Sequence, residues 1–248
     1  MKLNRKKHIL FAIFVLLATM SFINANKEKK KGTIILQFEN YVDDKPLNLD
    51  STTYHNHIGQ PYTISKFKYY IGNIHLKKKN GAEYSSSDYF LINEEDSTSK
   101  QITLDNVPDG EYTSISFIVG VDSIHNCSGA QSGALDPMNA MFWAWNTGYI
   151  FLKLEGQSPL SQSPGKLLEF HIGGYKEPNN CIRNISLDLN YNTAKCSAIK
   201  IKTDVSEIFK TPLTVDFSKI SSVTDFHYAT RIANNYVDMF SVLSIIYK

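Results

Sequence analysis

Gln60-Pro61-Tyr62-Thr63-Ile64-Ser65-Lys66-Phe67-Lys68-Tyr69-Tyr70-Ile71 is dense in aromatic and β-branched residues, the composition of a strand. Ile74-His75-Leu76 carries the run into Lys77-Lys78-Lys79-Asn80-Gly81. An Asn-Gly pair behind a strand predicts a hairpin, because a tight turn needs residues that tolerate positive φ. Asp88–Asn93 is the returning strand. Working outward, Gly32–Asn40 alternates Ile34, Leu36 and Phe38 with Ile35, Gln37 and Glu39, the period-two pattern of a strand. Ser99–Leu104 and Glu111–Val121 flank Val107-Pro108-Asp109-Gly110, whose Pro and Gly suit a tight turn. Met141–Leu154, Leu167–Gly173, Arg183–Asn190 and Ala198–Asp204 read as further strands. Many short strands punctuated by turns predict an all-β, two-sheet antiparallel sandwich. Two stretches depart from this pattern. Asp122–Asn139 is a long polar loop rich in Gly and Asn, of a length that is usually functional or disordered. Near the end, Val223, Phe226, Ala229, Ile232, Ala233 and Tyr236 recur at helical spacing. They predict a C-terminal helix capped by Ser222 or Thr224 and running to about Met239 or beyond.

The chain has 248 residues and opens with Lys2, Arg5, Lys6 and Lys7 ahead of an apolar run, Ile9–Leu17. Basic residues, a short apolar core and small residues toward Ala25 predict a secretory signal peptide over 1–25. The apolar core is shorter than the roughly 20 residues of a membrane span. A basic tail then covers 26–32 and one domain covers 33–248. About 220 residues suffice for a core without disulfide staples. The mature chain is expected to be periplasmic or secreted, with no membrane-spanning segment. The formal net charge is +2, and loss of the four cations of the leader would change only its sign, leaving the chain near neutral. That balance gives no footing for nucleic acid.

Trp143 and Trp145 lie two apart in Met141-Phe142-Trp143-Ala144-Trp145-Asn146-Thr147-Gly148-Tyr149. On one strand they share a face with Met141. Core packing explains such a pair, as does an exposed aromatic platform for sugar rings. Six histidines follow the leader: His55, His57, His75, His125, His171 and His227. His55-Asn56-His57 has a spacing that can chelate copper or zinc. Asp122, Asn126 and Asp136 match no EF-hand spacing. Cys127, Cys181 and Cys196 are an odd set; Cys181 can pair with either of the other two. There is no CxxC, GxSxG, HExxH or P-loop, so the residues point to a binding protein rather than an enzyme.

Several segments together, in order, resemble the MbnP-like copper-binding family in its Bacteroidetes-type branch. They are Gly59–Tyr70, Val119–Ser123, the run Ser128-Gly129-Ala130-Gln131-Ser132-Gly133-Ala134-Leu135-Asp136-Pro137, Met141–Tyr149, Phe170-His171-Ile172-Gly173-Gly174 and Asn235–Phe240. The resemblance implies an exported β-sandwich that binds copper. It also implies that one tryptophan is oxidised to kynurenine by a dihaem cytochrome c peroxidase-like (MbnH-like) partner. The kynurenine amine would then join histidine nitrogens around the metal, since an intact indole offers only an N–H donor. By position, Trp143 or Trp145 is the oxidised residue and His171 matches the family's metal ligand. His125 is the second candidate, although His125-Asn126 inverts the family's Asn-His order.

Overall fold

The computed structural model describes residues 30–143, 148–193, 195–224 and 226–247, and of Cys196 the backbone only. The expected signal peptide lies outside the described residues. Gly32–Lys248 folds as one unit.

The first strand, β1 (Lys31–Val42), begins within the expected basic tail and buries Ile34, Leu36, Phe38, Asn40 and Val42 on one face. The short β2 (Lys45–Pro46) and β3 (Tyr54–His55) precede β4 (Pro61–Lys78), an 18-residue strand. The Asn80-Gly81 turn returns the chain as β5 (Glu83–Asn93), five residues earlier than expected. Next come β6 (Gln101–Pro108) and β7 (Glu111–Val119). The polar stretch after β7 is not plain loop. It holds a one-turn helix, α1 (Ser123–Cys127), and two 3-10 turns, Gly133–Leu135 and Pro137–Asn139.

The tryptophan-bearing segment differs from expectation. It is two strands, β8 (Phe142–Trp143) and β9 (Gly148–Gln157), paired antiparallel with Trp143 opposite Gly148. Trp145 lies outside the described residues. The chain continues as β10 (Leu167–Gly173), β11 (Arg183–Asn192), β12 (Cys196–Asp204) and β13 (Ser222–Val223). The C-terminal helix, α2, spans Phe226–Asn235 and passes through a 3-10 turn, Tyr236–Met239. Ser222 is paired with Glu169 in a ladder and so is not the helix cap. The chain then forms β14 (Phe240–Tyr247), a strand not expected from the sequence, which pairs with β12.

Among the described residues, five strands form one sheet in the order β14-β12-β1-β2, with β6 also on β1. Nine form the other, β11-β7-β4-β9-β10-β13, with β3 and β5 on β4 and β8 on β9. The fold is the expected all-β, two-sheet arrangement. The sheets are mixed, however: β1–β12 and β10–β13 run parallel. Aromatic rings interlock between the sheets. Phe38 of β1 meets Phe117 of β7 at 5.8 Å and Tyr69 of β4 at 6.3 Å. Phe240 of β14 meets the same two rings at 5.3 and 5.9 Å. Burying each such side chain is worth about 2–3 kcal/mol. The Tyr69 hydroxyl donates to Asn40 Oδ1 and meets Thr203 Oγ1, each at 3.0 Å, so the polar atom in this core is satisfied.

Candidate functional site

The site region arises where β4 exchanges partners. Residues 63–69 of β4 pair with β9, and residues 71–78 pair with β7. The opposite edge carries β5 along residues 68–77. A strand has two edges, so β9 and β7 meet end to end on one of them, beside Tyr70. The strands must part there, and Gly120 permits the close pass. Its N–H donates to the Tyr70 carbonyl at 3.2 Å and its φ is +120°. A Cβ there would stand 2.8 Å from the Phe151 ring.

The segment 122–143 fills the fork. The buried Asn126 amide donates to the carbonyls of Val121 (2.6 Å) and Asp122 (2.9 Å), and its oxygen accepts the Tyr149 N–H at 2.9 Å. The Tyr149 hydroxyl donates to the Leu135 carbonyl and the Tyr70 hydroxyl to the Ala134 carbonyl. Gln131 donates to the His125 carbonyl and to the Tyr149 hydroxyl. Much of the Ser128–Pro137 signature is thus an insert hydrogen-bonded to the framework. Asn126 is spent on backbone partners and Asp136 caps Met138, so both are engaged within the insert itself.

His171 points from β10 to Glu155 on β9, with Nε2 2.9 Å from Oε1. Lys66 donates to the other Glu155 oxygen at 2.9 Å. Burial opposes ionisation of Glu155, but the Lys66 and His171 hydrogen bonds together hold its carboxyl below the ordinary value. Burial, then the nearby Lys153 ammonium, lowers the His171 imidazole, and Glu155 only partly offsets them. A neutral imidazole facing an ionised carboxylate donates from Nε2 and leaves the Nδ1 lone pair free, the orientation that carboxylate partners impose on metal-binding histidines.

His125 has a separate carboxylate. Asp122 Oδ1 accepts both its backbone N–H and its Nδ1, each at 2.9 Å. Its ring packs 4.6 Å from that of Tyr89, whose hydroxyl donates to Asp122 Oδ2. The pair is half exposed to solvent at the mouth of the fork.

Trp143 is 7% exposed, and its ring edge would lie 2.7 Å from a Cβ placed on Gly173, two residues beyond His171 on β10. Beside it opens a cavity of about 300 Å³ lined by Trp143, Tyr149, Gly174, Tyr175, Lys176 and Phe226. A sugar platform needs solvent-facing rings, which Trp143 does not supply.

The structure therefore brings Trp143 to the strand that carries His171. His125 belongs to the Asp122–Tyr89 cluster. His55 and His57 lie elsewhere, with His57 Nε2 near Thr214 Oγ1 at 3.3 Å. Among the described residues, no three His, Cys, Asp or Glu side chains converge to hold a metal ion. Cys127 and Cys181 are both free thiols, so neither cysteine pairing is present. Sequence reasoning missed Lys153, and it missed the roles of Glu155 beside His171 and of Asn126 as a backbone anchor. The Gly173-Gly174 pair was the only visible signal that something approaches β10 closely.

A family model described as MbnP matches residues 31–225 of the chain. Among solved structures, MbnP from Methylosinus trichosporium is similar in fold, with a TM-score of 0.54 and 15% identity, covering 78% of this chain and 83% of that one. No curated protein matches the chain significantly.

Proposed function

The chain belongs to the MbnP family, and from that premise we propose that it is an exported copper-binding protein. His171 is the anchoring ligand, through Nδ1. An amine nitrogen from oxidised Trp143 or Trp145 is the second donor, and His125, through Nε2, is the candidate third. Such a nitrogen set suits copper in either oxidation state. The observation that carries the reading is the contact of Trp143 with Gly173, two residues from a histidine whose ring Glu155 orients.

This chain's residues supply the preorganisation. Lys66 fixes Glu155, Glu155 fixes the His171 ring, and Asp122 fixes His125 in the same manner. The deprotonated imidazole is the form that binds metal, so the lowered His171 value favours ligation at neutral pH. Oxidation of the tryptophan to kynurenine is assigned to a dihaem cytochrome c peroxidase-like (MbnH-like) partner. The 1–25 leader would export this chain to the compartment where such a partner would have to act.

The test is intact mass and copper content of the protein purified from its native host, where the partner is available. We expect bound copper and a mass gain confined to the peptide holding Trp143 and Trp145. In the same material Glu155→Gln lowers copper affinity roughly 10–100-fold, the usual cost of losing a carboxylate behind a ligand. An unmodified peptide that neither retains nor takes up copper would falsify the proposal.

A further inference from the structure

Outside the ligand candidates, one buried cation touches both halves of the site. Lys153 lies directly across the β9–β10 ladder from His171 and across the β4–β9 ladder from Lys68. Cross-strand partners share a face, so Lys68, Lys153 and His171 form one row. Lys68 is held at the rim by Glu95, 3.8 Å away. Lys153 is only 7% exposed, because the segment entering β8 lies over it. Its ammonium donates to the Ala140 carbonyl at 2.5 Å and stands 3.9 Å from the Glu155 oxygen that His171 also meets.

Ala140 is the hinge between the last 3-10 turn and β8. It adopts left-handed φ/ψ of 56° and 33°, a conformation that residues with a Cβ hold only when their surroundings fix it. Its N–H is tied to the Pro137 carbonyl at 3.1 Å. The next carbonyl, of Met141, accepts the Ile150 N–H at 2.9 Å, and Trp143 follows. Lys153 is thus the side chain that joins this hinge to the Glu155–His171 pair. A cation in so dry a place costs desolvation, which the carbonyl and the carboxylate offset together.

We infer that Lys153 is a positioning residue for the site: its bond to the Ala140 carbonyl sets where Trp143 stands relative to His171. The inference rests on the copper-site reading only for its consequence in metal binding. The placement of Trp143 is measurable without metal.

The chain contains two tryptophans, so Trp145→Phe leaves Trp143 as the only indole emitter. In that background we expect Lys153→Met to shift the emission to the red and to raise quenching by acrylamide. Lys153→Arg, which keeps a charged donor, restores most of the parent spectrum. Lys68→Met, from the same row but without a bond to the hinge, leaves it unchanged. Lys153→Gln, too short to reach Ala140, serves in place of Lys153→Met should the latter not fold. In the chain retaining Trp145, the same Lys153 change lowers copper(I) affinity roughly 10–100-fold, as for other supporting residues of metal sites. A folded Lys153→Met or Lys153→Gln protein with parental emission and quenching overturns the inference, whatever its melting temperature. Failure of the parent chain purified from its native host to take up copper(I) would instead count against the copper-site reading, with the fluorescence result still deciding the role of Lys153.

Discussion

His171 shows how a single residue gains its chemistry from neighbours that the sequence places far away. Burial first, then Lys153, lowers its imidazole below the ordinary value, against a smaller opposing effect of Glu155. The unfolded chain titrates near the reference value of about 6.5. Between that value and the lowered one, the unfolded state binds more protons than the folded state. Stability is therefore fully present above about pH 6.5 and declines as the pH falls through this window, then levels off below the folded value. We expect the urea midpoint of the wild type to drop on acidification to pH 5 by more than that of His171→Gln, which lacks the titrating ring. Equal drops would mean that His171 is solvated like a free side chain. The family resemblance pointed to His171 through its Phe-His-x-Gly-Gly setting. Glu155 and Lys153 were not, because their nearness to it depends on the register of β9 against β10.

Among elements, the instructive one is the hairpin of β8 and β9. Its apolar and aromatic residues read as one long strand, since local composition does not reveal a reversal. The structure splits the run and lays Trp143 opposite Gly148. This placement depends on Gly173, whose φ is ordinary; what matters there is space rather than backbone freedom. A Cβ on Gly173 would meet the Tyr149 carbonyl oxygen at 2.5 Å and two Trp143 ring atoms at 2.7 and 2.9 Å. Backbone cannot retreat as a flexible side-chain end can, so Gly173→Ala must move both β9 and the indole. We predict a loss of about 1–3 kcal/mol in urea denaturation, the usual range for overpacking. Trp143 emission should shift to the red with it. An alanine variant of parental stability and spectrum would show that the β8 hairpin is not seated against β10.

At the scale of the molecule, the two sheets are joined by interlocked rings, to which the C-terminal segment contributes Phe240. The family match ends at residue 225, yet α2 packs on β10 and Phe226 lines the cavity beside Trp143. One buried side chain secures this segment. Asn235 donates to the carbonyls of Ile208 (2.8 Å) and Leu213 (2.7 Å) and accepts the Leu213 N–H at 2.9 Å. Arg183 adds a clamp on Thr230 and Asn234. Removing the amide strands three buried backbone groups, and we expect Asn235→Ala to cost on the order of 3 kcal/mol. The cost should appear as a lower denaturation midpoint together with readier quenching of Trp143. Among the described residues, no helix is long and apolar enough to cross a membrane.

The sequence by itself determined the all-β class, the alternating inward face of β1, the Asn80-Gly81 hairpin and the C-terminal helix. These depend on side-chain period and on turn stereochemistry, which act between near neighbours in the chain. Only the tertiary structure decided the parallel pairing of β1 with β12, the exchange of β9 for β7 along β4, the closing strand β14, and the meeting of Trp143, Gly173 and Lys153. Those contacts join residues far apart in the chain, and each is selected by the summed fit of two whole faces. A one-residue change of register would turn Lys153 and His171 to the opposite face, and no local pattern in either strand records which register wins.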